Sequence, residues 1–100
     1  PKVTKIINYM FSCVRVPYMY IYPAIREIGY RAFYECPIFT GLSCNHTTPP
    51  TLDSNAFEGC EKIYFIKVPE EAIDTFKNAP YWSAFNRVGR DGKNIYRAID

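Results

Sequence analysis

The chain has 100 residues, of which 48% are hydrophobic and 17% aromatic, and its formal net charge is +2. This length suits one small domain, and the apolar content excludes an intrinsically disordered chain. The weak positive charge argues against nucleic acid or an anionic membrane as a partner. The apolar runs are short and interrupted by proline, so we expect no membrane span. The N-terminal sequence PKVTKI also lacks the features of a signal peptide.

The chain repeats itself with a period of 22 to 24 residues. A shift of 22 residues places Phe11 on Phe33, and a shift of 24 residues places Phe33 on Phe57 and Cys36 on Cys60. Apolar positions agree along both alignments, although identities are few. The sequence therefore predicts a single domain over 1–100, with three repeats (1–22, 23–46 and 47–69) and a C-terminal cap (70–100).

A repeat of this length has room for one strand and one short helical or irregular turn. Alternating apolar residues predict the strands, whose inward-facing pairs are Tyr20/Tyr22, Leu42/Cys44 and Ile66/Val68. In the turns of the second and third repeats a Phe and a Cys stand three residues apart, so both can face inward. One repeat alone cannot bury its apolar face, and we therefore expect the repeats to stack.

The cap has the residue pattern of a short helix. Pro69 suits its start, Glu70 and Glu71 favour its N-terminal end, and Pro80 stops it. Its apolar face is predicted to be Ala72, Ile73, Phe76 and Ala79. We expect Trp82 to anchor the cap rather than to stack on a ligand. Beyond it, the Asp91-Gly92 pair predicts a turn and NIYRAI a final short strand.

Three segments, VTKIINYMF, IREIGYRAFYEC and TLDSNAFEGCEKIYFIKVP, resemble the BspA-like class of leucine-rich repeats found in bacterial and protist surface proteins. That family's unit reads roughly V-x-x-I-G-x-x-A-F-x-x-C-x-x-L-x-x-I-x-I-P. The second repeat matches it at Ile25, Ile28, Gly29, Ala32, Phe33, Cys36, Phe39, Leu42 and Cys44, and the third at Leu52, Ala56, Phe57, Cys60, Ile63, Ile66, Val68 and Pro69. The first repeat departs from it, with Ile7 for the Gly, Met10 for the Ala and Val14 for the Cys.

The segments TPPTLDSNAFEGC and VPEEAIDTFKNAPYWSAFNRV resemble the end of Bacteroides-type members of this family. The resemblance covers nearly all of residues 1–90. It implies an α/β fold: a right-handed leucine-rich-repeat solenoid of about three short repeats, with a parallel sheet and a C-terminal helical cap. It also implies a secreted or cell-surface protein, non-enzymatic and without a cofactor, that binds a protein or glycan, with adhesion to a host as one role.

The cysteines at 13, 36, 44 and 60 form no CxxC pair, and His46 is the only histidine. A zinc site built from Cys44, His46 and a distant cysteine is one interpretation, and buried thiols are the simpler one. Val14 fills the slot of Cys36 one repeat earlier, which argues against a metal or disulfide ligand there. His46 has no acid close in sequence, so we expect no enzyme.

The remaining question is where a partner would bind. If the predicted register is right, the outward positions carry an apolar, aromatic patch with one basic edge. The candidate partner-binding residues are Tyr18, Met19, Ile21, Tyr64, Phe65 and Lys67. A register error of one residue would exchange the two faces of a strand. The competing hypothesis is a purely structural stack that caps a longer surface solenoid, and an open N-terminal strand edge would allow self-association.

Overall fold

The computed structural model describes residues 3–99. In this part of the chain the strands form two parallel sheets, each ordered as in the sequence. The first sheet contains β1 (Lys5–Ile6), β3 (Glu27–Ile28) and β5 (Thr51–Leu52); the second contains β2 (Tyr18–Ile21), β4 (Gly41–Cys44), β6 (Phe65–Val68) and β7 (Tyr96–Ala98). The strands of the second sheet were predicted. The short strands of the first sheet were not, because two residues give no measurable alternation.

The core is built from equivalent residues of successive repeats. Both sheets contribute to it, and the buried strand residues with apolar side chains are Ile6, Ile21, Ile28, Leu42, Cys44, Leu52, Ile66, Val68 and Tyr96. Between the sheets the turn phenylalanines stack on one another: the ring centroids of Phe11 and Phe33 are 5.5 Å apart, and those of Phe33 and Phe57 are 5.0 Å apart. The predicted stacking of repeats is thus visible as a row of rings.

The recurring cysteine connects one repeat to the one before it. The thiol of Cys36 donates to the carbonyl oxygen of Phe11 at 3.2 Å, and the thiol of Cys60 donates to that of Phe33 at 2.6 Å. Burial raises the pKa of Cys60 to about 12, so the thiol keeps the proton that it donates. These cysteines are buried hydrogen-bond donors, and both are free thiols.

Cys13 belongs to a different position of the repeat. Its φ is 60°, and the residues at the same place in the next repeats, Glu35 and Gly59, also have positive φ angles of 49° and 83°. Cys13 is exposed, whereas Cys36 and Cys60 are buried. At Gly59 an added Cβ would also come within 2.7 Å of the Glu35 side chain. The recurring left-handed residue turns the chain just before the cysteine slot.

The cap closes the far end of the stack. It consists of a 3₁₀ helix (Glu70–Ala72), helix α1 (Ile73–Asn78), a second 3₁₀ helix (Trp82–Phe85) and β7. Phe76 and Trp82 are buried, with ring centroids 5.2 Å apart, so Trp82 is the predicted anchor. The indole N–H of Trp82 donates to the carbonyl of Pro50 at 2.8 Å. None of the helices in residues 3–99 is long and apolar enough to cross a membrane.

Candidate functional site on the sheet face

The first strand lies one residue away from its predicted register. Met19 pairs with Leu42 and Ile21 with Cys44, an offset of 23 residues, whereas the turns keep the predicted offset of 22. Repeat 2 has one more residue between its cysteine slot and its strand than repeat 1 has. Because side chains alternate along a strand, this single residue exchanges the two faces of β2.

The predicted outward orientation of Met19 and Ile21 is therefore wrong. Ile21 is 2% exposed, and Met19 packs against the core. Tyr20 and Tyr22, predicted to face inward, are 42% and 67% exposed. The arrangement is also favourable energetically, because burying the aliphatic side chains leaves the tyrosine hydroxyl groups in water.

An aromatic row crosses the outer face of the second sheet. Tyr18, Gly41 and Phe65 are register partners on three adjacent strands. An added Cβ on Gly41 would lie 2.3 Å from the Phe65 ring, so only glycine lets this ring lie across β4. The ring reaches Tyr18, with centroids 5.8 Å apart and planes at 26°, and Tyr64 packs edge-on at 5.3 Å. The row consists of Tyr18, Phe65 and Tyr64.

A polar row lies beside the aromatic row. Tyr20, Ser43, Lys67 and Arg97 are register partners from β2 to β7. The ammonium of Lys67 lies 5.9 Å from the Phe65 ring centroid, a cation–π distance. The guanidinium of Arg97 binds both carboxylate oxygens of Asp91, at 2.7 and 2.8 Å. We call the two rows together the sheet face: Tyr18, Tyr20, Ser43, Tyr64, Phe65, Lys67 and Arg97.

Sequence reasoning found part of this face. It brought together Tyr18, Tyr64, Phe65 and Lys67, which lie on the sheet face, and it missed Tyr20 and Arg97. The sequence YMYIY offers two alternating sets, and the aliphatic set could have been chosen for the core. Arg97 could not have been placed, because nothing in the sequence shows that β7 pairs with β6 in parallel.

Cys44 and His46 form a buried pair rather than a reactive one. The Cys44 sulfur lies 3.2 Å from Nδ1 of His46, and Nε2 lies 2.7 Å from the carbonyl oxygen of Ile25. Nε2–H therefore donates to Ile25, and Nδ1 accepts from the thiol. Burial raises the pKa of Cys44 to about 12, which opposes formation of a thiolate. Among residues 3–99 no three His, Cys, Asp or Glu side chains are grouped to hold a metal ion.

The family model described as "BspA type Leucine rich repeat region (6 copies)" matches residues 1–86. The chain therefore belongs to this family, and its fold is an α/β leucine-rich-repeat solenoid with parallel sheets. Members of the family are typically non-enzymatic, and their repeats are typical of protein–protein interaction. A search of curated proteins found no match.

Proposed function

We propose that this chain is a non-enzymatic module that binds a protein partner through the sheet face. The observation that carries the proposal is the aromatic row, in which Gly41 lets Phe65 lie flat between Tyr18 and Tyr64. Tyrosine and arginine are enriched among the residues that dominate protein–protein binding energies. A row fixed by packing also loses little side-chain entropy when a partner binds.

The shape and charge of the face favour a protein over a glycan. The face extends over all four strands of the second sheet, and two of its tyrosines, Tyr18 and Tyr20, are 47% and 42% exposed. Lys67 adds a basic group to the polar row, whereas the charge of Arg97 is balanced by the carboxylate of Asp91. A partner with an acidic rim around an apolar centre would complement this distribution.

The cellular role belongs to the same proposal. The module is secreted or carried on a cell surface, and adhesion to a host protein is its role there. Treatment of intact cells with a protease tests this location, since a surface module is cleaved while a cytoplasmic marker protein is not. An intact module under those conditions would contradict the location.

A purely structural role is the second candidate. Trp82 is 1% exposed and closes the stack, as the terminal unit of a longer surface solenoid would. The two candidates differ in their dependence on the sheet face. A capping stack tolerates changes at Tyr18 and Phe65, whereas a binding module does not. We also propose that the chain associates with itself through the strand edge at β1 and β2.

The experiment compares the wild type with three variants on a panel of extracellular proteins and on a glycan array. Tyr18→Ala shortens the aromatic row, and Phe65→Glu places a charge in its centre. Tyr9→Ala is the matched control, because Tyr9 is also 47% exposed but packs on Tyr30 and Tyr34 instead. Melting temperatures of all variants are measured alongside.

We expect a protein ligand that the wild type and Tyr9→Ala retain and that the other two variants lose. The loss should be about tenfold or more, which corresponds to about 1.4 kcal/mol, as for a residue of a binding hot spot. Phe65→Glu should leave the melting temperature nearly unchanged. Equal binding by all variants contradicts the proposal, and ligands confined to the glycan array contradict its choice of partner.

A further inference from the structure

The repeats are joined by a regular ladder of main-chain hydrogen bonds outside the strands. Between repeats 2 and 3, the N–H of Phe33 donates to Ala56 O and the N–H of Glu35 donates to Glu58 O, both at 2.8 Å. The carbonyl of Ile28 accepts from the N–H of Asp53 at 3.0 Å. Each repeat thus offers two donors, two residues apart, and one acceptor to the repeat that follows.

Repeat 3 offers the same groups at its far side. Phe57 and Gly59 correspond to the two donors, and Leu52 is the register partner of Ile28. β5 is the last strand of its sheet within residues 3–99. Within this part of the chain, the N–H groups of Phe57 and Gly59 donate no hydrogen bond to the main chain. The cap continues the second sheet through β7 but leaves the ladder beside β5 incomplete.

One position of this ladder shows how the cap replaces a following repeat. The carbonyl of Arg26, just before β3, accepts from the N–H of Thr51 at 2.9 Å. The equivalent carbonyl just before β5, that of Pro50, accepts from the indole of Trp82. A side chain therefore takes the place of a strand at Pro50, whereas no side chain of residues 3–99 accepts a hydrogen bond from the main-chain N–H of Phe57 or Gly59.

Two cavities lie along the free edge. One, of about 200 Å³, lies between the turn around Phe57 and the second 3₁₀ helix, where Ala84 lines it. The other, of about 330 Å³, lies between Pro50 and the start of the cap. Both are lined by Leu52 and Tyr81, so together they form one groove beside β5. We call this the β5 groove.

Tyr81 separates the two halves of the β5 groove. Its side chain is 53% exposed and its φ is 66°, a conformation that costs energy for a residue other than glycine. The surrounding cap holds the residue in this conformation. Tyr81 is therefore a wall that the two cavities share, and Leu52 of β5 lines both of them.

We propose that the β5 groove binds a polypeptide segment, whose main chain completes the ladder at Leu52, Phe57 and Gly59. Two N–H donors spaced two residues apart match two carbonyl groups of one polypeptide with the same spacing. The carbonyls of Ala56 and Glu58 show this where they accept from Phe33 and Glu35 of repeat 2. An unpaired strand edge recruits main chain in this way. This site is separate from the sheet face and does not depend on it.

The probe is a synthetic peptide with the sequence of residues 51–60, TLDSNAFEGC, kept reduced. This segment already makes the same ladder with repeat 2. It is titrated into the ¹⁵N-labelled full chain, and the backbone amide signals are followed by NMR. We expect the amides of Phe57 and Gly59 to shift and those of Tyr20 and Lys67 on the sheet face to stay. A scrambled peptide of equal composition should shift none of them.

Two variants test whether the groove is the site. Ala84→Trp fills the cavity beside Phe57, and Ser83→Trp adds the same bulk at an exposed neighbour that lines neither cavity. Ala84→Trp should weaken the peptide about tenfold or more, and Ser83→Trp should not. The proposal is overturned if the amides of Phe57 and Gly59 do not move, if binding survives in Ala84→Trp, or if both variants lose it equally. The dispersion of each spectrum confirms folding.

Discussion

His46 shows how one residue connects the start and the end of the second repeat through its protonation state. The neutral imidazole donates through Nε2 to Ile25 and accepts through Nδ1 from Cys44, so both ring nitrogens are used. Burial lowers the pKa of His46, and the nearby charge of Arg26 lowers it further, while the hydrogen bond to Ile25 opposes them. Protonation at Nδ1 would replace an acceptor by a donor facing the Cys44 thiol. The native pair therefore requires the neutral ring.

A pH dependence of stability follows. Because the folded-state pKa of His46 lies below its ordinary value of 6.5, the unfolded chain binds a proton before the folded chain does. The contribution of His46 is complete above pH 6.5 and is lost as the pH falls from there towards the folded-state pKa. Urea denaturation at a series of pH values should show the free energy of unfolding decreasing over this window.

The control for this prediction is His46→Gln, which cannot titrate there. Its free energy of unfolding should change less than that of the wild type across the same pH range. Parallel profiles for the two proteins would show that His46 does not contribute to the pH dependence.

At the scale of elements, a stack of aromatic rings joins the turns of successive repeats. The rings of Phe33 and Phe57 are nearly parallel, with planes at 6°, and the stack ends against Trp82 and Phe85. Phe57 is only partly buried, yet it contacts rings on both sides. Phe11, at the other end of the row, has a ring neighbour on one side within residues 3–99.

Removing a ring that has neighbours on both sides should therefore be costly. Phe57→Ala is expected to lower the free energy of unfolding by about 3–5 kcal/mol, because the cavity adds to the lost transfer free energy. Phe11→Ala is the matched comparison and should cost less, since its ring borders the stack on one side. Chemical denaturation measures both. A loss under about 1 kcal/mol for Phe57→Ala would contradict the stacked arrangement.

The repeat pattern could be predicted where spacing was constant and not where it changed. The offset of 24 residues between repeats 2 and 3 holds from the turn through the strand, so Leu42 and Ile66 pair as expected. Between repeats 1 and 2 the offset changes from 22 to 23 before β2. Few identities mark that point, and a strand has a period of only two residues. The domain boundaries predicted from the repeats remain a prediction.

At the candidate site, the sequence predicted the three residues of the aromatic row but not how their rings pack. Phe65 stands out as an outward residue of a clear strand, and Tyr64 stands just before that strand. That Phe65 lies across Gly41 depends on packing between strands, which the sequence of a single strand does not contain. The β5 groove could not be predicted either. It depends on which sheet the cap extends and which main-chain hydrogen-bonding groups it leaves without a partner strand.

At the scale of the whole molecule, the two ends of the stack differ. The cap buries one end, whereas β1 and β2 are the outermost strands at the other end within residues 3–99. There a cavity of about 180 Å³ opens between the core residue Ile21 and two residues that pack against the core, Phe11 and Met19. Met10, which also lines it, is 43% exposed. An apolar surface beside unpaired strand edges favours association.

We therefore expect the isolated chain to associate in a concentration-dependent manner. Met10→Lys places a charge on this end and should return the chain to monomer, whereas Val88→Lys changes an exposed apolar residue elsewhere and should not. Light scattering over a dilution series measures both. A wild type that is monomeric throughout would contradict the association.

The single tryptophan gives this molecule a built-in optical reporter. Its indole is buried against Phe76 and bonded to Pro50, so its emission reports the contact between the cap and the third repeat rather than the state of the stack. If the cap detaches first, the emission will shift to longer wavelengths before the circular dichroism of the sheets is lost. Coincident transitions would instead show that repeats and cap unfold as one cooperative unit.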